Sequence, residues 1–325
     1  MGVNALDVKQ SNVAAVLSAL YGLRSASVKD LAARAGLSQA TVGSIMTALV
    51  EGGKALPGES APSRGGRPAR IYAFNAEYAY VLALSARARG ETQVISGRVA
   101  DLYGASVWQA EKRFGSIRPE SFEAIVGEAL RLYPAIRILA VSLPGVEKDG
   151  VILFNDYKAL EGLNFVAQFE SKYGLRTLLE NDVNAALLGY GQGLEPDAIA
   201  AGLYFPRRFG PGAALLIEGK ALKGARGFAG EIARLPLGID WHALDYGDPL
   251  AVGPAVAALM QVICCVADPQ RFVLYGDFFT ADVREAIRQA LDPAFCPALD
   301  FHGDFDADIM RGLLAQALAA CQQAL

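Results

Sequence analysis

The chain has 325 residues, 53% hydrophobic and 20% charged, with a formal net charge of −4, which excludes a natively disordered protein and supplies apolar content for two or three cored units. The longest apolar run, Val256 to Ala267, is too short to span a bilayer and contains Gln261; with no signal-peptide pattern, a buried helix, no membrane partner and a cytoplasmic location are expected. Cys264, Cys265, Cys296 and Cys321 show no CxxC spacing, and with His242 and His302 the only histidines they read as reduced core residues rather than zinc ligands.

In chain order, Asn12 to Leu23 places Val13, Val16, Leu17 and Leu20 on one helical face. Ser27, with Asp30 three residues on, is a capping-box start for a helix running to about Ala35. Gly36 suits a left-handed turn and Ser38 suits the cap of a second helix, on which Val42, Ile45, Met46 and Leu49 form the inward stripe. Ala40, Gly43, Ser44 and Thr47 then face outward, with Gln39 and Thr41 at the N-terminal edge, a face that suits the DNA major groove. After Glu51, a glycine-rich basic loop lies between two strand-like segments and reads as a wing, with Arg64, Arg67 and Arg70 at or near its tip for phosphate or minor-groove contact. A plain helical bundle with a solvated basic linker would share these features. Charge separates the two ends of the chain: up to Asn75 there are eight Lys/Arg against four Asp/Glu, and beyond it 22 against 30, so the basic end is the nucleic-acid candidate.

From Tyr78 the pattern changes to strands at Tyr80 to Ser85, Thr92 to Val99 and Ala105 to Phe114, with a hairpin turn at Asp101 and Gly104, a helix at Glu120 to Tyr133 and a strand at Ile136 to Leu143. Three antiparallel strands, a helix and a further strand are the opening of an actin-like or sugar-kinase-like domain.

The segments SLPGVEKDGVI (Ser142 to Ile152), LENDVNAALLGYGQG (Leu179 to Gly193), IEGKALKGARGFAGEIA (Ile217 to Ala233) and ADPQRFVLYGD (Ala267 to Asp277), in this order, resemble the ROK family of repressors, open reading frames and kinases. LSQATVGSIMTALVEGG and GGRPARIYAFN resemble the DNA-binding half of its repressors. The resemblance implies an α/β chain: a winged helix-turn-helix at residues 1–75, then a two-lobed, actin-like (ribonuclease H-like) body at 78–325. Lobe one would cover 78–179 and the final helix 306–325, and lobe two 181–302. Paired bodies in such proteins imply a homodimer or dimer of dimers on a near-palindromic operator of double-stranded DNA.

The departures from the family are equally specific. Where its kinases carry an Asp-x-Gly-x-Thr phosphate loop, this chain has Ser85, Arg87 and Arg89; a Gly-Thr-Gly loop falls at Arg208, Phe209 and Gly210; and only Gly276 stands for a glycine pair near the adenosine. ATP chemistry is therefore not expected. Arg234 takes the place of the family's zinc-site histidine, the segment from Glu231 to Pro254 has no cysteine, and no zinc cofactor is expected. Asn181, Asp182 and Glu231 match the family's sugar-binding positions, although Asp182 could instead simply cap the helix after it. Arg234 would either pair with Glu231 or Asp182 or recruit an anionic sugar derivative. The sequence thus reads as a transcriptional regulator with no catalytic residue; a sugar kinase with an appended DNA-binding domain and a pure dimerisation scaffold are the alternatives.

Overall fold

The computed structural model describes residues 5–60, 70–89, 92–206, 209–295 and 297–324. The chain forms two compact units, one of Met1–Tyr80 with Asp101–Ala105 and Gln322–Leu325, the other of Val81–Ala100 and Ser106–Cys321. Arg64, Arg67, Arg208 and Cys296 lie outside the described residues.

In the first unit, α1 (Ala5–Leu23) is followed by β1 (Ser25–Ser27), α2 (Val28–Ala35), α3 (Gln39–Glu51), β2 (Ala55–Ser60) and β3 (Arg70–Phe74). Ser27 accepts from the Asp30 amide and the Asp30 carboxylate accepts from Ser27 N–H, so two orphan donors at the start of α2 are satisfied reciprocally. Gly36, at φ 67°, closes the helix in the left-handed region. β1, β3 and β2 form an antiparallel sheet in that order; the short β1, hidden in the sequence by its three-residue length, gives the hairpin a third strand. Val16, Leu20, Leu31, Val42 and Met46 are fully buried between the helices, and Ile45 is only partly covered.

The second unit is a mixed α/β body of two similar sheets. Its elements are β4 (Tyr80–Arg89), β5 (Thr92–Asp101), β6 (Ser106–Phe114), α4 (Pro119–Leu132), β7 (Ile136–Leu143), β8 (Val146–Lys148), β9 (Val151–Phe154), α5 (Phe165–Tyr173) and β10 (Arg176–Asn181). They continue as α6 (Asp182–Tyr190), β11 (Ala200–Tyr204), β12 (Gly212–Ile217), β13 (Lys220–Ala221), α7 (Pro249–Ala267), β14 (Arg271–Tyr275), α8 (Ala281–Ala290), β15 (Ala298–His302) and α9 (Phe305–Ala324). One five-stranded sheet runs β10-β7-β4-β5-β6, the other β13-β12-β11-β14-β15, so each has its chain-first strand, β4 or β11, in the middle. In both, the later strands are added in parallel: β10 on β7, and β14 and β15 beyond β11.

The apolar run around Val256 belongs to a longer helix than its sequence suggested. α7 extends back to Pro249 at its first turn, capped by Asp248, and is long and apolar enough to cross a membrane by composition. Its packing is that of a core helix: Val252, Val256, Leu259, Met260 and Ile263 are buried in the cluster that includes Phe205, Phe272 and Ile287, and a Cβ on Gly253 would lie 2.6 Å from that of Ala286. The same cluster takes Trp241, Leu237 and Ile239 from the segment between Glu231 and α7. Apolar anchoring thus holds the stretch where the resemblance implies a metal. No group of three His, Cys, Asp or Glu among the described residues could hold a metal ion, so the residues present do not fit a zinc.

Candidate functional sites

The first site is the outward face of α3. Ser38 caps it, accepting from Thr41 N–H at 3.1 Å, and its first turn carries no acidic residue. The partial positive charge of the helix N-terminus is therefore unopposed within that turn. Gln39, Ala40, Ser44 and Thr47 are exposed and Thr41 and Gly43 partly so. Two hydroxyls are engaged locally: Thr41 Oγ1 lies 2.9 Å from Ser38 Oγ, and Thr47 Oγ1 donates to Gly43 C=O. Arg70 opens β3, exposed, with its guanidinium 5.7 Å from the Tyr72 ring centre.

The second site lies where the two sheets of the body meet at the β10 to α6 junction. β10 ends beside the end of β7, Asn181 opposite Leu143, at the carboxyl edge of parallel strands where α/β sheets place their ligands. The cap of α6 falls to Asn181 rather than Asp182: Asn181 Oδ1 accepts from Val183 N–H at 2.9 Å and Asn184 N–H at 3.1 Å, while Nδ2 donates to Gly145 C=O at 3.0 Å. Asn181 is thereby largely spent on structure, with one amide hydrogen left for a ligand. Half-buried Asp182 also accepts from Val183 N–H, at 2.9 Å.

Glu231 reaches the same cleft from another segment. Gly230, at φ 97°, hydrogen-bonds β12 through its carbonyl, and a Cβ there would lie 2.0 Å from Ala213 O, so only glycine lets the segment press against the strand and present Glu231. Asp156 and Tyr157, in the turn after β9, complete the cluster, with Tyr204 from the end of β11. Desolvation, then repulsion by Asp156, pushes the Asp182 carboxyl up to about 7. Desolvation also raises Asp156 to about 6, with Lys158 opposing and Glu231 adding to the rise. Glu231 is raised by burial, against Arg234. Desolvation and the Asp182 charge push Tyr204 to about 12 and hold the Tyr157 phenol well above its usual range. The field of Glu231 is felt at Asp182 and at Asp156, and Asp156, Tyr157 and Tyr204, which the sequence did not single out, share the field of Asp182 or act on it. The adjacent acid and tyrosine after the β8–β9 hairpin were the available signal.

Arg234 departs from one expectation. It forms no ion pair with Glu231 or Asp182 among the described residues; it is exposed, its guanidinium lying 5.6 Å from the centre of the Phe154 ring, which also receives Lys158 Nζ at 4.7 Å. The aromatic face offers the guanidinium a position that keeps its hydration, whereas pairing inside the cleft would strip it. Only its field reaches Glu231.

The phosphate-loop position is filled from within. Arg87, on β4, pairs with Asp306 at the start of α9, and the preceding residue, Phe305, stacks on Tyr204 at 3.9 Å between ring centres. Adjacent residues of one helix thus hold the central strand of each sheet. Phe209 is exposed, and a Cβ on Gly210 would lie 2.5 Å from that of Ala233. A second clasp joins the sheets: Lys223, after β13, reaches Glu180 at 3.1 Å and Glu147 at 3.4 Å. Lys148 Nζ donates to Ala225 C=O at 2.9 Å.

Residues 119–244 match the ROK family. The chain is 24% identical over 248 residues to a putative xylose repressor from a Caldicellulosiruptor species, covering 73% of this chain and 61% of the relative, and 21% identical over 239 residues to the xylose repressor of Caldicellulosiruptor bescii, covering 71% and 60%. The matched region thus spans about three fifths of these repressors. An N-acetyl-D-glucosamine kinase of Vibrio vulnificus is 32% identical over 117 residues, 34% of this chain and 38% of the kinase. Among solved structures, a ROK family transcriptional regulator described as a homolog of the E. coli MLC protein superposes with a TM-score of 0.63 at 18% identity over 96% of both chains. A ROK hexokinase from Thermus thermophilus gives 0.57 at 19% identity over 75% of this chain and 99% of the other. The body therefore has the fold of ROK sugar kinases and regulators alike.

Proposed function

We propose that this protein is a sequence-specific, DNA-binding transcriptional regulator, a repressor by analogy with its relatives, acting in the cytoplasm on an operator in double-stranded DNA. Residues 1–75 are its winged helix-turn-helix and 78–325 its sugar-responsive, non-catalytic body. The observation that carries the reading is α3: a capped helix without a first-turn acid, whose exposed small and polar face has no structural task. Gln39, Ala40, Thr41, Gly43, Ser44 and Thr47 read base edges, while Arg64, Arg67 and Arg70 add phosphate affinity. A homodimer, or a dimer of dimers, would place two such helices on a near-palindromic site.

Selection from a randomised duplex library should recover one preferred sequence for the purified chain. Gln39→Ala should flatten the preference, and Arg70→Ala should weaken binding to all sequences and lower the salt slope by about one. Recovery of no enriched sequence would overturn the reading of α3 as a sequence reader.

A kinase reading draws support from the N-acetyl-D-glucosamine kinase relative and from the carboxyl of Asp182 near neutrality, which suits a base. It is opposed by the Arg87–Asp306 pair at the phosphate-loop position. Phosphoryl transfer rests on positioning phosphate and metal, and a guanidinium committed to a carboxylate supplies neither a glycine cradle nor a metal ligand. Calorimetry with ATP and Mg²⁺ is expected to show no micromolar binding; stoichiometric, metal-dependent binding would reinstate the kinase. The body's effector is of the sugar class, held at Asp182 and Glu231 with Asp156. These carboxylates oppose the anionic derivative that Arg234 alone suggested.

A further inference from the structure

α7 is apolar all round: apart from Gln261 and two cysteines, none of its 19 residues carries a polar side chain, and none is charged. A helix of that composition belongs inside a core. Its inner face is there, with Val252, Val256, Leu259, Met260 and Ile263 buried in the body. Its outer face is bare. Leu250 is 83% and Val266 77% exposed, the two most exposed large apolar side chains among the described residues, and Pro254 and Cys265 between them are exposed as well. Ala251, Ala258 and Val262 are partly covered. At about 3.6 residues per turn, these positions form one continuous strip along the helix.

Charge separates the surfaces that could cover this strip. From Asp245 to Gln270 the chain holds Asp245, Asp248 and Asp268 and no Lys or Arg, so the helix has acidic flanks, whereas a helix lying on a lipid surface is held there by basic residues. α8 packs beside α7 where Ala286 meets Gly253, and it borders the strip with exposed Arg284, Glu285 and Arg288. A border of both signs offers each charge a counterpart on an identical surface. The layout of the strip is also self-complementary. Leu250 and Val266 lie eight residues to either side of Ala258, which is about 80° round the helix in opposite senses. A two-fold axis through Ala258 exchanges the two places, so that Leu250 of one copy meets Val266 of the other, and the small Ala258 lets the helices approach at the crossing.

We propose that the outer face of α7 docks a second copy of this chain, the two helices crossing antiparallel at Ala258. The inference rests on the homodimer reading above and assigns it a surface. α7, about 28 Å long, is too narrow to supply alone the roughly 800 Å² per partner of a stable dimer. It forms the apolar centre, and the charged side of α8 forms part of the rim.

Sedimentation equilibrium of the full chain, from submicromolar to tens of micromolar concentration, would compare the unaltered protein with Leu250→Glu, Val266→Lys, both together, and Leu132→Glu as a control at an exposed apolar residue of α4. An acid at the start of α7 and a base at its end suit the helix dipole, so the fold should be kept. Each single change should weaken self-association by at least about tenfold, and the double variant, which sets Glu against Lys across the two-fold, should recover most of the loss. Leu132→Glu should change nothing. In the unaltered chain, alkylation of Cys265, read by peptide mass spectrometry, should slow as the protein concentration rises, a test that needs no variant. A dimer indifferent to both single changes overturns this face and leaves the homodimer reading intact. Loss in both single variants without recovery in the double overturns the crossing at Ala258. A chain that is monomeric at every concentration overturns the face and the homodimer reading together, and one that floats with phosphatidylcholine vesicles instead of dimerising overturns it in favour of lipid.

Discussion

The helices α3 and α6 begin alike and end in opposite situations. Each opens on a side-chain cap, Ser38 or Asn181, that accepts backbone N–H bonds within the first turn. In α3 only Val42, Met46 and Leu49 are buried, Ile45 and Val50 are partly covered, and the exposed positions are polar or small. In α6 every residue from Val183 to Gly189 is buried, leaving the ends accessible, with Asp182 at the head. The difference separates two signatures of function: a helix face exposed with no structural task, and a carboxylate kept in a desolvated place where folding alone gains nothing from it.

The largest expected effect breaks α6 and leaves α3 whole. Gly312 of α9 crosses Gly189 of α6 so closely that a Cβ on Gly312 would lie 2.0 Å from Ala185 O. Gly312→Ala should cost about 3 kcal/mol or more in chemical denaturation, since two backbones must part to admit one methyl. An unchanged midpoint would mean that the two helices are not in backbone contact. Next is the pH dependence set by Asp182, whose carboxyl is raised from 3.8 to about 7 in the folded chain. The folded state then holds a proton that the unfolded chain has lost, so stability is fully present below pH 3.8 and declines as pH rises through about 7. Asp182→Asn should remove that decline, gaining on the order of 1–2 kcal/mol at pH 8 once solvent screening of this half-buried group is allowed for, and nothing at pH 3.5. Parallel stability curves for the two proteins across this range would place Asp182 in ordinary solvent.

On α3 the effects are smaller in stability and larger in recognition. Ser38→Ala should cost about 1 kcal/mol by orphaning the Thr41 amide, read as a lowered melting temperature. Gly43→Ala meets no atom within 4 Å and should stabilise the helix by about 0.5–1 kcal/mol while weakening operator binding in a gel-shift titration. Gain of stability with unaltered DNA affinity would remove that face from the reading surface.

What the sequence disclosed follows the same division. The caps at Ser27 and Ser38, the Gly36 turn and the strand Ile136–Leu143 are set by neighbours within a few residues, and these read directly. The cleft was legible only in part. Asp182 and Glu231 carried motif signals, but Asp156 and Tyr157 arrive together from the turn after β9 and Tyr204 from the end of β11, and these segments become neighbours only through the sheets. The pairing of Arg87 with Asp306 spans most of the body, and no local rule predicts it. The sequence left the partner of Arg234 open for a related reason: its place over the Phe154 ring depends on where β9 ends.

The Gly189–Gly312 crossing also has a mechanical consequence. Helices held apart by leucines are separated by a compliant layer, in which side chains change rotamer and absorb small displacements. At this crossing nothing lies between the backbones, so the joint has no slack. A displacement of Asp182 at the head of α6 therefore passes to α9 as rotation of a stiff pair, together with Phe305 and Asp306 at its start, instead of being dissipated in the core.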